Sequence, residues 1–94
     1  GVIIVHNKHG VTKGIITDGD IKRATYKNEN LKELLTKNIM KTKPISVDKN
    51  MLAAEALSIM NSNKITGLCV HKGKKKYKTV GFLHIHNVLK ANIQ

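Results

Sequence analysis

The sequence has few aromatic residues and almost no arginine. It contains no tryptophan, and its aromatic residues are Tyr26, Tyr77 and Phe82. With so few rings, stacking platforms for nucleic-acid bases are hard to build. Arg23 is the one arginine among 17 basic residues, so bidentate recognition of phosphate or guanine by several guanidinium groups is excluded. The core must therefore be aliphatic, and nucleic acid is a disfavoured partner.

Cysteine and long apolar segments are also scarce. Cys69 is the single cysteine, so no intrachain disulfide can form, and its apolar surroundings predict a small hydrophobic residue in the core. The longest apolar segments have the length of strands, which indicates neither a transmembrane helix nor a signal peptide. We therefore expect a cytoplasmic protein without a membrane partner. Because the first residue is Gly1 and already enters an apolar segment, we also expect a piece of a longer chain.

Positive charge is in clear excess. The 17 Lys and Arg residues against 6 Asp and Glu give a formal charge of +11. The only dense cluster lies at residues 72–78, in a predicted hairpin loop. The cluster keeps nucleic-acid binding open as an alternative, whereas the scatter of the other lysines favours a solvated basic surface that promotes solubility.

The most informative segment runs from Gly14 to Ala24 and reads GIITDGDIKRA. Its β-branched residues suit a buried strand, and Thr17 or Asp18 can cap a helix that begins directly afterwards. The Thr17 hydroxyl and the free amides of the new helix could hold a phosphate, while the Asp20 carboxylate could accept hydrogen bonds from sugar hydroxyls. The segment predicts a capped strand-to-helix turn and, as a second interpretation, part of a nucleotide site.

A second segment repeats this order 67 positions later, from Gly81 to Ala91, and reads GFLHIHNVLKA. An apolar segment precedes each copy, so each half is predicted to contain a strand, a hairpin, a strand and a helix. At the matching positions, His84 replaces Thr17 and Asn87 replaces Asp20. Asn87 can still accept a hydrogen bond, but without the assistance of a charge.

The residue pattern predicts the remaining elements. In the first part of the chain we predict a strand at 2–5, a turn at 6–13, a strand at 14–17 and a helix from Asp18 to about Lys27. An interruption at 28–30 follows, and then one or two helical turns around Leu31, Leu34 and Leu35 that end near Asn38. In the second part we predict a linker at 39–47 that enters a strand at 45–47, a helix from about Asn50 to Ser62 capped by Asp48, strands at 68–70 and 79–83, and a final helix. The predicted buried faces are Ala53, Ala56, Leu57 and Met60, flanked by Leu52 and Ile59, and then Ile85, Val88, Leu89 and Ile93.

In this order the chain resembles a pair of cystathionine β-synthase (CBS) domains. The residues that carry the resemblance are Ile39-Met40 followed by Pro44 and Val47, the Ala-rich segment 52–60, Lys64-Ile65-Thr66-Gly67, and Gly14-Ile15-Ile16-Thr17-Asp18-Gly19-Asp20. The resemblance covers essentially the whole chain. It implies an α/β (α+β) fold of tandem repeats, each strand, helix, strand, strand, helix. Residues 1–38 would be the C-terminal part of an N-terminally truncated first repeat, and 39–94 a complete second repeat.

The resemblance also implies a ligand. In that family the motif Gly-apolar-x-Thr-x-x-Asp is typical of sites for adenosine nucleotides and related ligands, so Thr17 would meet phosphate and Asp20 the ribose. Main-chain groups near the strand at 45–47 and at 65–66 would form walls for a base. His84 and Asn87 depart from the motif, and the imidazoles of His84 and His86 are expected either to cap the helix or to hold a sugar acid or phosphate when protonated. The candidate ligand-binding residues are Thr17, Asp18, Asp20, Ile45, Ser46, Val47, Ile65, Thr66, His84 and Asn87.

More narrowly, the two motifs are similar to those of the C-terminal CBS pair of arabinose-5-phosphate isomerases. Those enzymes carry an upstream sugar-isomerase (SIS) domain and supply arabinose 5-phosphate for the Kdo sugar of lipopolysaccharide. The resemblance implies a regulatory module that requires no cofactor and whose candidate ligands are AMP, ATP and CMP-Kdo. Its expected partners are the upstream SIS domain and further copies of itself, as a homodimer or higher oligomer.

Two other function classes stay open. One is a purely structural oligomerisation module without a ligand, and the other is nucleic-acid binding through the basic hairpin. Catalysis within this chain is not expected, because the sequence has no paired carboxylates and suggests no Ser-His-Asp arrangement. His84 and His86 could form half of a metal site, but no Cys or acidic ligand accompanies them, so no metal is predicted.

Overall fold

The structure is a computed structural model that describes residues 1–27, 30 and 32–93, with side chains described as far as residue 91. Within these residues the chain forms six strands and four helices, arranged in two compact units, Gly1–Pro44 and Ile45–Gln94. Each unit contains one three-stranded sheet. Over the same described residues, no helix has both the length and the apolarity needed to span a bilayer. The expected mixed α/β architecture is confirmed.

The first unit is built on a β-hairpin. Strand β1 (Val2–His6) pairs antiparallel with β2 (Thr12–Thr17), and Gly10 turns the chain with a φ of 77°. A short strand, β3 (Lys41–Thr42), pairs with the other edge of β2 at Gly14 and Ile15. A β-carbon on Gly14 would lie 2.6 Å from the backbone oxygen of Lys41, so this close pairing requires glycine. The linker predicted at 39–47 therefore contains a short strand, β3, that the sequence pattern did not predict.

Two helices follow β2 in the first unit. Helix α1 (Asp18–Tyr26) has Lys27 as its C-cap, close to the predicted end, and α2 (Thr36–Ile39) has only four residues. The predicted helical turn near Asn38 is present as α2, but it begins at Thr36, after Leu34 and Leu35, and Leu35 is exposed. Leu31 and most of the predicted interruption at 28–30 lie outside the described residues.

The second unit has the predicted order of strand, helix, strand, strand, helix. Its elements are β4 (Ser46–Asp48), α3 (Ala53–Asn63), β5 (Gly67–His71), β6 (Gly81–His84) and α4 (Ile85–Ile93). Strand β4 runs parallel to β5, because α3 provides the crossover, and β6 runs antiparallel to β5. Lys64 closes α3 in the left-handed conformation, with a φ of 54°, which agrees with the predicted helix end.

Aliphatic and sulfur-containing side chains fill the core of the second unit. Met60 and Leu68 are fully buried and pack with Val47, Ala56 and Val88. Full burial of one such side chain contributes about 2 kcal/mol. The scarcity of aromatic residues in the sequence thus corresponds to an aliphatic core.

Cys69 is a free thiol within strand β5, and it is buried as predicted. Burial raises the pKa of this thiol, although a hydrogen bond with Thr79 partly offsets the effect. A thiol with a raised pKa is a poor nucleophile at neutral pH, which fits a packing role.

Several boundary and burial predictions in the second unit are wrong. Asp48 does not cap a helix at Asn50: its carboxylate accepts the backbone N–H groups of Asn50 and Gly73, and α3 begins later, after Leu52. Ala53 and Leu89 are exposed instead of buried. The second strand of the hairpin begins at residue 81 and not at 79. The side chain of Ile93 lies outside the described residues.

Candidate functional site

Thr17 and Asp20 form a capping box at the start of α1. Thr17 is the N-cap, and its Oγ1 accepts the N–H of Asp20 over 3.3 Å. In return, Oδ2 of Asp20 accepts the backbone N–H of Thr17 over 2.8 Å and the Thr17 hydroxyl over 3.0 Å. The chain folds this way because β2 ends in a residue that can accept a hydrogen bond, three positions before a carboxylate.

Asp20 also attracts two cations. Its side chain is only 4% exposed, and Oδ1 pairs with Nη2 of Arg23 and lies 3.7 Å from Nζ of Lys41. Burial alone would raise the pKa of Asp20, but the hydrogen bonds from Thr17 and Arg23 and the charge of Lys41 together hold it below its ordinary value. Asp20 is therefore a buried, charged carboxylate whose oxygens already have partners.

Asp18, the third candidate in this unit, differs from Asp20. Its side chain is 81% exposed and pairs with the amino group of Gly1. Asp18 lies in the first turn of α1, where a negative charge interacts favourably with the helix dipole. The structure thus brings all three candidates of the first unit to one end of α1.

His84 and Asn87 form a related cap at the start of α4. Oδ1 of Asn87 accepts the N–H of His84 over 3.0 Å, and Nδ1 of His84 accepts the N–H of His86 over 3.2 Å. The imidazole rings of His84 and His86 stack with their centroids 4.7 Å apart. Of the two uses expected for these imidazoles, the His84 ring shows the capping one, whereas the His86 ring stacks on it.

Three candidates of the second unit lie at one end of its sheet. The backbone oxygen of Thr66 accepts the N–H of Ile85 over 2.7 Å, which places Thr66 beside the start of α4. Gly67 pairs with His84 across the β5–β6 ladder, and the oxygen of Ile45 accepts the N–H of Cys69 from β5. Ile45, Thr66 and His84 therefore share the sheet end at which β4 and β5 begin.

The other candidates of this unit are committed to packing or to a separate contact. Val47 is buried in the core, and Ile65 packs against that core. The hydroxyl of Ser46 lies 2.6 Å from Nδ1 of the buried His71 on β5. The side chains of these three residues are thus engaged within the unit.

A cavity of about 300 Å³ lies in the second unit, and its lining is mostly apolar. Val47 and Asn87 are the candidates among its lining residues, which also include Met51, Ala56 and Val88. Ile45, Thr66 and His84 are not in the lining. The cavity is therefore distinct from the sheet end described above.

Nothing in the described part of the chain forms a group of three or more His, Cys, Asp or Glu that could hold a metal. Sequence reasoning missed Arg23 and Lys41, which contact Asp20. The Asp20–Arg23 spacing of i, i+3 could have indicated the first contact. Lys41 could not have been found in this way, because it reaches Asp20 from β3, a strand that the pattern did not predict.

Comparison with known families identifies the class of protein. Residues 36–93 match the profile of the CBS domain, and the chain belongs to the CBS domain family. Over 99% of its length it is also similar to arabinose 5-phosphate isomerase KdsD of Pseudomonas aeruginosa, with 36% identity. The chain spans 28% of the length of that relative. The resemblance read from the two motifs is thereby confirmed.

Solved CBS-domain structures share the fold. The CBS domain pair of MJ0100, solved with 5′-methylthioadenosine and S-adenosylmethionine, has a TM-score of 0.83 at 21% identity, covering 97% of this chain and 68% of that one. The CBS domain protein PAE2072 of Pyrobaculum aerophilum, complexed with AMP, has a TM-score of 0.80 at 19% identity, covering 100% of this chain and 76% of that one. At these identities the likeness shows the fold alone.

Proposed function

We propose that the chain is a regulatory module that binds an adenosine nucleotide or a sugar nucleotide. In this proposal the module belongs to a sugar-phosphate isomerase, namely an arabinose-5-phosphate isomerase of Kdo and lipopolysaccharide synthesis. The observation that carries the proposal is the similarity over 99% of this chain to a protein of that name. The module itself performs no catalysis, and the isomerase reaction belongs to the SIS domain of the parent chain.

The start of α1 supports an adenosine ligand. It combines the free amides of a helix N-terminus with a hydroxyl at Thr17 and a charged carboxylate at Asp20. AMP, 5′-methylthioadenosine and S-adenosylmethionine, the ligands of the two solved neighbours, share an adenosine group. Thr17 would meet the 5′ side of the ligand and Asp20 the ribose hydroxyls. Because Asp20 already accepts from Thr17 and Arg23, the ribose would have to share or replace one of these partners.

The repeat organisation is part of the proposal. The elements β1, β2 and α1 correspond in order to β5, β6 and α4, and both helices begin with a side-chain cap after a strand. We assign residues 1–38 to a first repeat and 39–94 to a second. Ile45, Ser46, Val47, Ile65 and Thr66 would contact a base, and His84 and Asn87 a sugar or an anion.

A bound nucleotide would regulate the parent enzyme by a shift in populations. It can do so only if its affinity differs between two arrangements of the enzyme. The parent gene tests this assignment directly: an SIS domain encoded upstream of Gly1 supports it, and a transporter or nuclease there contradicts it.

Calorimetry tests the ligand. The purified chain is titrated with AMP, ATP and CMP-Kdo, with CMP and inorganic phosphate as controls that lack adenosine and the Kdo sugar. We expect saturable heat with at least one of the three ligands and a loss of it in Thr17→Val, which removes the hydroxyl at similar volume. Thr17→Ser keeps the hydroxyl and should retain binding. If all three ligands give no heat with a folded chain, the ligand proposal is contradicted.

The structural alternative is favoured by one observation, the exposed apolar side chains of the second unit. Leu52 is 68% exposed and Leu89 42% exposed, and each belongs to or borders a helix. Association of copies through such residues would need no ligand. Sedimentation of the wild-type chain and of a Leu52→Lys variant separates the two functions, because self-association without any ligand binding would favour the structural one.

A further inference from the structure

The guanidinium group of Arg23 lies over Gly19, in the first turn of α1. A β-carbon built on Gly19 would stand 3.4 Å from Nη1 of Arg23 and 3.7 Å from both its Nη2 and the Oγ1 of Thr17. The guanidinium and the Thr17 hydroxyl therefore border the same small space. The absence of a side chain at residue 19 leaves that space open.

Asp20 holds Arg23 in this place without using all of its donors. Nη2 of Arg23 pairs with Oδ1 of Asp20, which is itself fixed by hydrogen bonds from Thr17. The Arg23 side chain remains 57% exposed. Because a guanidinium group carries five N–H donors, the contact with one carboxylate oxygen leaves donors for a second acceptor.

The charges at this point favour an anion as that acceptor. Arg23 and Lys41 both face Oδ1 of Asp20, so two positive charges meet one negative charge. The positive end of the α1 dipole adds to the excess. Asp18 opposes it, but its side chain is 81% exposed, so solvent and salt screen its charge more than that of the buried Asp20.

We infer that Arg23 makes the ligand site at the start of α1 prefer phosphorylated over unphosphorylated nucleosides. Asp20 orients the guanidinium, and the guanidinium donates hydrogen bonds to a phosphate oxygen that lies beside the Thr17 hydroxyl. The inference rests on the proposed function, which places an adenosine ligand at this site. It adds a specificity residue that does not contact the ribose or the base.

Paired titrations of the whole chain with AMP and with adenosine test this role. A charge-assisted hydrogen bond lost without replacement corresponds to about tenfold or more in affinity. Arg23→Gln should therefore weaken AMP binding by about tenfold or more and change adenosine binding by less than about twofold. Lys22→Gln, which removes an equal charge from an exposed neighbouring position on the same helix, should leave both affinities within about twofold of the wild type.

Arg23→Lys provides the second variant. It keeps the charge but loses the planar fork, so its preference for AMP over adenosine should lie between those of the wild type and Arg23→Gln. An unchanged AMP affinity in Arg23→Gln, or an equal loss for AMP and adenosine, overturns the inference and leaves the proposed function standing. If the wild-type chain binds neither AMP nor adenosine, the adenosine site itself is refuted, and the role of Arg23 with it.

Discussion

The backbone N–H of His84 donates to Oδ1 of Asn87 over 3.0 Å, in the same relation that Thr17 has to Asp20 at the other helix start. The geometry of the cap is thus repeated while its chemistry changes. In α1 the acceptor is a charged carboxylate beside Arg23 and Lys41, and in α4 it is a neutral amide beside two stacked imidazoles. We therefore expect the two helix starts to differ in their affinity for anions.

Removal of the Thr17 hydroxyl should destabilise the first unit. Thr17→Ala deletes the acceptor for the N–H of Asp20 and the donor to its carboxylate, and the loss of an N-cap side chain costs about 1 kcal/mol. Urea denaturation should show a lower free energy of unfolding by about that amount. Thr17→Ser retains both hydrogen bonds and should stay close to the wild type. Equal stability of Thr17→Ala and the wild type would show that the cap contributes nothing.

Acid should weaken the protein through Asp20. Its pKa in the folded state lies below the ordinary 3.8, so the unfolded chain takes up the proton first as the pH falls. The stabilisation by this carboxylate is complete above the unfolded pKa and is lost as the pH falls through the lowered folded pKa. Asp20→Asn removes the carboxylate, so its free energy of unfolding should fall less than that of the wild type between about pH 6 and about pH 3.

Glu33→Gln is the matched control for this pH series, because Glu33 is an exposed carboxylate of the same unit. Its stability should follow the wild-type curve. If Asp20→Asn also follows that curve, Asp20 does not carry the acid dependence.

The repeated segments show which features could be predicted from the sequence. Gly14 to Thr17 and Gly81 to His84 each end a strand at a residue that caps the next helix, and such local pairs of cap and acceptor depend on spacing alone. The proximity of Thr17 and Asp20 could be predicted from their spacing. Their mutual hydrogen bonds, which give both side chains a partner within the chain, were not predicted, because the motif suggested ligand contacts for both.

The failures come from contacts between distant residues. Asp48 was predicted to cap a helix, yet it accepts the N–H of Gly73, 25 positions away, and α3 begins only after Leu52. Strand β3 has two exposed residues and exists because Gly14 lets its backbone approach β2. Val88 and Leu89 were both predicted to face inward, but only Val88 is buried and Leu89 is exposed. No short window of sequence contains these partners.

A carboxylate at residue 87 should stabilise α4. Asn87→Asp keeps an acceptor for the N–H of His84 and adds a negative charge near a helix N-terminus, a change that contributes about 0.3–1 kcal/mol. Thermal unfolding should show a higher midpoint for this variant. The control is Asn61→Asp, an exposed asparagine in the last turn of α3, where a negative charge faces the negative end of the dipole. A gain of stability in Asn61→Asp as large as in Asn87→Asp would contradict this explanation.

Glycine at residue 67 should be essential for the packing of β5 against β6. A β-carbon on Gly67 would overlap Cε2 and Cζ of Phe82, which pairs with Cys69, two positions further along β5. Overpacking of this kind costs about 1–3 kcal/mol. Gly67→Ala should therefore lower the urea midpoint of unfolding clearly, because the ring must move or the strands must separate.

Gly81→Ala is the matched control for this substitution. Gly81 pairs in the same hairpin, but the nearest atom to a β-carbon there is Cβ of Val70 at 3.9 Å, an ordinary contact distance. Its stability should stay within about 0.5 kcal/mol of the wild type. Phe82→Leu combined with Gly67→Ala should recover part of the loss, since the shorter side chain vacates the space that the new methyl group needs. Similar losses in both glycine variants, without recovery in the double variant, would indicate that chain flexibility and not the Phe82 ring sets the requirement.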